Sequence, residues 1–122
     1  MKLHEHAGGQ LNLIARYGEG QLVVGGLSVQ SPCIVAPGML QADWVKDISG
    51  LTPESLAPLW ALQPQVVLLG AATHARAAVT RELRANFASR QIALEVMDLG
   101  AACRTYNVLA QEDRAVAALL FP

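Results

Sequence analysis

Charge is scarce in this chain. Acidic and basic residues together make up 16% of its 122 residues, and the formal net charge is -1. Without a basic excess there is no electrostatic ground for a nucleic-acid or anionic-membrane ligand. Lys and Arg are scattered, and no basic run is interleaved with aromatics. Aromatics are few as well: two Trp, two Tyr and two Phe. Each large ring must therefore anchor a core or sit at an interface. Two cysteines, Cys33 and Cys103, are too few for a disulfide framework, which points to free thiols in a reducing compartment. No stretch is long and apolar enough to cross a bilayer, so membrane insertion is not expected. The segment from Met1 to His6 is short and polar, without an apolar signal core or an Arg-rich presequence. The expectation is a complete, cytoplasmic, bacterial-like protein.

What the chain does have is apolar bulk, 52% of its residues. That excludes disorder and suffices for one domain, residues 1–122, with a single core. Low charge with high apolar content implies buried strands, or an apolar surface covered by a partner. The front of the chain reads as a β meander with Gly and Pro turns: strands over 11–17, 21–24, 27–30, 33–36 and 39–45. Thr52, Pro53 and Glu54 then signal a helix start, and Pro58 predicts a short or kinked helix. The back alternates: strand 65–69, helix 78–90, strand 92–97, a helix around Cys103, and strand 115–121. Alternation of this kind marks crossover units around a sheet. The direction of the last strand is left open by its short connection.

The block Ala101-Ala-Cys-Arg-Thr-Tyr-Asn-Val-Leu-Ala110, with Glu112 and Arg114 behind it, is the most specific part. Together with Val66-Val-Leu-Leu-Gly70 and Glu95-Val-Met97, it resembles the domain of unknown function family 498/598. That family includes the mitochondrial respiratory complex I assembly factor and many small bacterial proteins. The resemblance also takes in Tyr17, Gly18, the Pro37 region and Trp44. It implies a three-layer α/β fold, a central mixed sheet flanked by helices with an additional N-terminal β meander. It implies no established enzymatic activity and no cofactor. By kinship it implies a protein partner, a respiratory-complex subunit.

In open α/β sheets, ligands gather at the carboxyl ends of strands. The loops from Gly70 to Ala75 and from Asp98 to Ala102 face each other if their strands are neighbours. A helix starting near Ala101 then aims free N–H groups into the crevice, and Arg104 can offer a forked donor to an anion. Alternatively, Arg104 pairs with Asp98, Glu95 or a carbonyl and braces the loop. Cys103 near a helix start, His74 as a base and Asp98 to orient it form a conceivable nucleophilic set. The opposing reading is a small buried hydrophobe. Tyr106 and Asn107 either line the crevice or serve the scaffold, through a hydroxyl bonded to a loop and an amide bonded to backbone. The candidate ligand-binding set is thus Gly70, His74, Asp98, Cys103, Arg104, Tyr106 and Asn107, with no catalytic residue assigned. His4 and His6 lack a third ligand, so no metal site is assigned. Trp44 and Trp60 are candidates for core or contact-patch roles.

Three functions follow. The leading one is a non-enzymatic accessory or binding protein acting through protein contacts. The second is a small-molecule-binding protein or cryptic enzyme using the crevice near Gly70 and Cys103-Arg104. The third is a structural subunit of a homo-oligomer, since the sequence leaves oligomeric state open.

Overall fold

The computed structural model describes the backbone of residues 2–5 and residues 11–18 and 20–122 in full. Its strands are β1 (Lys2–Glu5), β2 (Ile14–Gly18), β3 (Gln21–Val24), β4 (Leu27–Val29), β5 (Cys33–Ala36), β6 (Met39–Ala42), β7 (Val66–Gly70), β8 (Ala93–Met97) and β9 (Val116–Leu120). Its α-helices are α1 (Ala57–Ala61), α2 (Thr73–Arg76), α3 (Arg81–Ser89) and α4 (Leu99–Gln111), with a 3-10 turn at Ile48–Gly50.

Six strands form one mixed sheet in the order β1-β6-β5-β9-β7-β8, and β2-β3-β4 form a small antiparallel sheet. β7 is parallel to β8 and β9. This follows from sequence order, because α3 and α4 each carry the chain back across the sheet before the next strand begins. β9 runs antiparallel to β5, pairing Cys33 with Leu120 and Val35 with Ala118. Its direction, open in the sequence, is thereby set.

The expected meander divides in two. Only β2, β3 and β4 form the added sheet, whereas β5 and β6 turn at Pro37-Gly38 and join the main one. The terminal segment read as merely polar supplies an edge strand, β1, paired with β6. The His4–His6 pair and the Gly8-Gly9 turn fall outside the described side chains.

β9 shows how the layers are built. All five of its residues are buried, and its period-2 alternation sends them to two different cores. Val116, Ala118 and Leu120 join α4 and the small sheet. Ala117 and Leu119 join α1, α3 and the 3-10 turn. The molecule therefore has three layers: α1 and α3, then the main sheet, then α4 with the small sheet.

Element boundaries shift for identifiable reasons. Thr52 and Ser55 cap each other: the Ser55 amide donates to Thr52 Oγ1 at 3.0 Å and the Thr52 amide to Ser55 Oγ at 2.9 Å. That closes a separate turn, so the helix starts only at Ala57. Pro58 then occupies its first turn, where it costs no intrahelical bond and makes no kink. Helix α3 starts at Arg81 because Thr80 caps it, accepting from the Leu83 amide at 3.0 Å. The strand begun at Met39 stops at Ala42, where Asp43 takes a left-handed φ of 52°.

Both tryptophans are half-buried with their N–H groups satisfied by backbone. Trp44 Nε1 donates to the Ser55 carbonyl and Trp60 Nε1 to the Pro53 carbonyl. Trp44 lies against Phe121, and Trp60 sits edge-on to Phe87.

Candidate functional site

The strands ending at Gly70 and Met97 are neighbours, so the two strand-end loops converge. The Ala71 amide donates to the Met97 carbonyl at 3.1 Å, and the Phe121 amide to the Gly70 carbonyl at 2.9 Å. Helix α4 then closes the space. A Cβ built on Gly70 would lie 2.5 Å from Ala102 Cβ, 3.2 Å from Leu120 Cδ2 and 3.3 Å from Leu99 Cα. Glycine at this position lets the first turn of α4 seat on the end of β7. The opening expected there is filled by Ala102, and Gly70 and Ala71 are buried.

Asp98 caps α4, its Oδ1 accepting from the Ala101 amide at 2.8 Å. A carboxylate therefore already stands at the helix dipole's positive end, where an anionic ligand was considered. Arg104, three residues beyond Ala101, is exposed. Its Nη1 donates to the Tyr17 hydroxyl at 2.5 Å, and its guanidinium carbon is 5.9 Å from the centroid of the Tyr17 ring. The partner is thus a phenol from β2 rather than Asp98, Glu95 or a carbonyl. The same ring packs on the helix backbone: a Cβ on Gly100 would fall 2.9 Å from Tyr17 Cε2.

Cys103 is buried, and its pKa is pushed up to about 11, mainly by burial. The neighbouring Arg104 pulls it down, and Asp98 adds to the rise. Cys33, in the same core, is pushed up to about 12 by burial and by the nearby Cys103. Both thiols are protonated at neutral pH, so neither holds the thiolate a nucleophile needs. His74 is exposed on α2, and no hydrogen bond joins it to Cys103 or Asp98. The Cys103–His74–Asp98 arrangement is not assembled.

Tyr106 and Asn107 point away from the strand ends and into the join between α4 and the small sheet. The buried Tyr106 hydroxyl donates to the Asn12 carbonyl at 2.8 Å, and burial raises its pKa. Asn12, itself buried, donates through Nδ2 to the Ala36 carbonyl at 3.1 Å and through its amide to the Pro37 carbonyl at 2.9 Å. Asn107 acts as a substitute strand neighbour. Its Oδ1 accepts from the Ile14 amide at 2.8 Å, and its Nδ2 donates to the Ile14 carbonyl at 2.9 Å. One side chain thus satisfies both backbone groups at the start of β2, where the ladder with β3 is irregular.

The structure therefore brings Gly70, Asp98, Cys103 and Arg104 to one end of α4, sends Tyr106 and Asn107 to a joint, and leaves the exposed His74 without a hydrogen bond to any of them. Asn12, Tyr17 and Gly100 complete these contacts; Tyr17 falls within the family resemblance, but nothing local in the sequence pairs it with Arg104. Among the described residues, no group of three or more His, Cys, Asp or Glu side chains could hold a metal ion, and no helix is long and apolar enough to cross a membrane.

The profile of the family described as "Protein of unknown function (DUF498/DUF598)" matches residues 14–121. The chain belongs to this family. It is similar to the NADH dehydrogenase (ubiquinone) 1 alpha subcomplex assembly factor 3 of Danio rerio, 38% identical over 104 residues, which cover 81% of this chain and 58% of that protein. The Homo sapiens protein of the same name is 28% identical over 124 residues, covering all of this chain and 67% of the relative. The chain thus spans about three fifths of the length of the Danio rerio relative. Among solved structures, a Bordetella parapertussis protein is 28% identical with a TM-score of 0.80, covering 95% of this chain and 99% of that one. A Mth938-like domain from Bordetella pertussis shares the fold at 24% identity and a TM-score of 0.73, covering 100% of this chain and 92% of that one. The α/β architecture and the family resemblance expected from the C-terminal block are both borne out.

Proposed function

We propose that the protein is a non-catalytic accessory factor that acts through protein contacts in the assembly of a respiratory NADH dehydrogenase. The observation that carries this reading is the use of the polar groups of α4. Asp98 caps, Tyr106 and Asn107 hold backbone of the small sheet, and Arg104 holds Tyr17. Cys103, the remaining candidate for chemistry, is buried and protonated. Kinship with relatives named as assembly factors supports the choice of partner.

The reading as a small-molecule site near Gly70 and Cys103-Arg104 has less support, since Ala102 fills the space that Gly70 leaves. The test is depletion of the protein from its own cells, combined with recovery of a tagged copy after mild crosslinking. NADH dehydrogenase subunits should co-purify, and the assembled enzyme should fall on native gels. Normal enzyme levels after depletion, with no such subunit recovered, contradict the proposal.

A further inference from the structure

The main sheet ends at β8, with no strand beyond it among the described residues. None of the β8 residues is fully buried, whereas every residue of β9 is. The Ala93 amide donates to the Gln65 carbonyl at 3.0 Å, and the Met97 carbonyl accepts from the Ala71 amide at 3.1 Å. Ala93 and Met97 therefore turn their backbone toward β7, and Glu95 does so by alternation. Leu94 and Val96 turn the other way, and their N–H and C=O groups face off the edge of the sheet.

Side chains alternate along the same strand. Leu94 and Val96 are half-buried and pack against the core under α1 and α3. Met97 packs against the opposite core, so the period of two puts Ala93 and Glu95 on that face as well, and both are exposed. Among the described residues, the Glu95 carboxylate has no ion pair and no hydrogen bond. Arg104, on the helix that covers this face, is turned to Tyr17.

We propose that the free edge of β8 takes an extended segment of a partner protein as an added antiparallel strand, with a lysine or arginine opposite Glu95 and an apolar residue on each side of it. In antiparallel register, the residues opposite Leu94 and Val96 exchange both backbone hydrogen bonds with them. The residue opposite Glu95 then forms a non-hydrogen-bonded pair, in which Cα atoms stand about 4.5 Å apart and side chains come closest. An opposite charge there is favourable and a like charge is not. Alternation sends the flanking apolar side chains to the other face, beside Leu94 and Val96. A second copy of this chain fits less well. The register that pairs Leu94 with Val96 of the copy, and so uses all the outward groups, sets Glu95 against Glu95. The same carboxylate thus opposes self-pairing and selects a basic segment. The inference rests on the protein-contact reading above and adds the partner's chemistry.

The test is amide-resolved NMR and hydrogen exchange of the intact chain with a blocked peptide, Ser-Thr-Val-Lys-Val-Thr-Ser. Counterparts replace the lysine by glutamate, or carry N-methyl groups on both valines or on the lysine alone. Saturable shifts centred on β8 are expected. Exchange should slow at the Leu94 and Val96 amides and change little at Glu95, whose amide already faces β7. The glutamate peptide should bind about tenfold more weakly, and Glu95→Lys should reverse that preference. Methylating the valines removes the N–H groups that face β8 and should abolish binding. Methylating the lysine, whose N–H faces away, should leave it. A thermal melt confirms that Glu95→Lys keeps the fold. Absence of saturable shifts, equal affinity for the two charged peptides, indifference to valine methylation, or protection of Leu94 and Val96 by self-association without peptide overturns the proposal. NADH dehydrogenase subunits that still co-purify with the Glu95→Lys chain would remove this edge while leaving the assembly role standing.

Discussion

The two ends of the parallel strands differ in the way that matters for function. At the carboxyl ends of β7 and β8, α4 is seated so closely that a methyl group on Gly70 would collide with Ala102, and the helix start is capped by its own Asp98. At the amino ends, the buried Pro64 borders two separate cavities, one beside Arg90 and the other beside Arg114, and among the described residues neither guanidinium has a carboxylate partner. General experience of α/β sheets directs attention to the carboxyl ends. Here that end is packed, and two exposed guanidiniums stand at the other. An interface function needs exposed, unpaired groups on rigid elements, whereas a crevice function needs space, and the packed carboxyl end does not supply that space.

The sharpest way to break this contrast is to force space at the closed end. Gly70→Ala should destabilise the protein by about 2–4 kcal/mol, since the overlap is with another backbone-borne methyl rather than a flexible chain end. Adding Ala102→Gly should restore much of the loss, which urea denaturation of the two singles and the double would read as a coupling energy. If Gly70→Ala is neutral, the closed end is looser than the geometry states.

Next in size is the joint. Tyr106→Phe removes the buried hydrogen bond to the Asn12 carbonyl and should cost about 0.5–1.5 kcal/mol. Asn107→Ala should cost a similar amount and should accelerate hydrogen exchange of the Ile14 amide more than that of the β7 amides.

The thiols provide a smaller, pH-dependent effect. Their folded pKa values, about 11 for Cys103 and about 12 for Cys33, lie above the ordinary value of 9.0. The stabilising contribution is therefore fully present below pH 9. It is lost as pH rises toward 12, because the unfolded chain releases these protons first. Denaturation midpoints from pH 8 to 10.5 should fall, and the fall should shrink in Cys33→Ala/Cys103→Ala. The smallest effect is at the surface: Arg104→Gln should change stability by no more than about 0.5–1 kcal/mol, measured in the same denaturation series.

Much of the architecture was legible because it is local. The Gly and Pro punctuation around Gln21–Val24 and Cys33–Ala36 bounds those strands, and the period of Ala102, Cys103, Tyr106 and Ala110 marks the buried face of α4. The division of the front strands into two sheets was not legible, because it depends on which partner each strand meets. The site was less legible still. Tyr17–Arg104, Asn12–Tyr106 and Ile14–Asn107 join residues 87 to 94 positions apart. Tyr106 and Asn107 could be recognised in sequence as polar residues needing partners, but nothing local pointed to Asn12 or Ile14. The two cavities at the amino ends draw on Arg90 at a helix end, Pro64 before a strand and Arg114 after another helix, positions that only the parallel register of β7, β8 and β9 brings to one edge.

The claim that the carboxyl-end side chains do no chemistry is tested most directly by complementation. In cells depleted of the protein, His74→Ala/Cys103→Ala/Arg104→Gln would be expressed to the wild-type level and assembled NADH dehydrogenase read on native gels. Restoration equal to that by the unaltered chain is expected. A folded triple variant that fails to restore assembly would contradict it and return the function to the crevice.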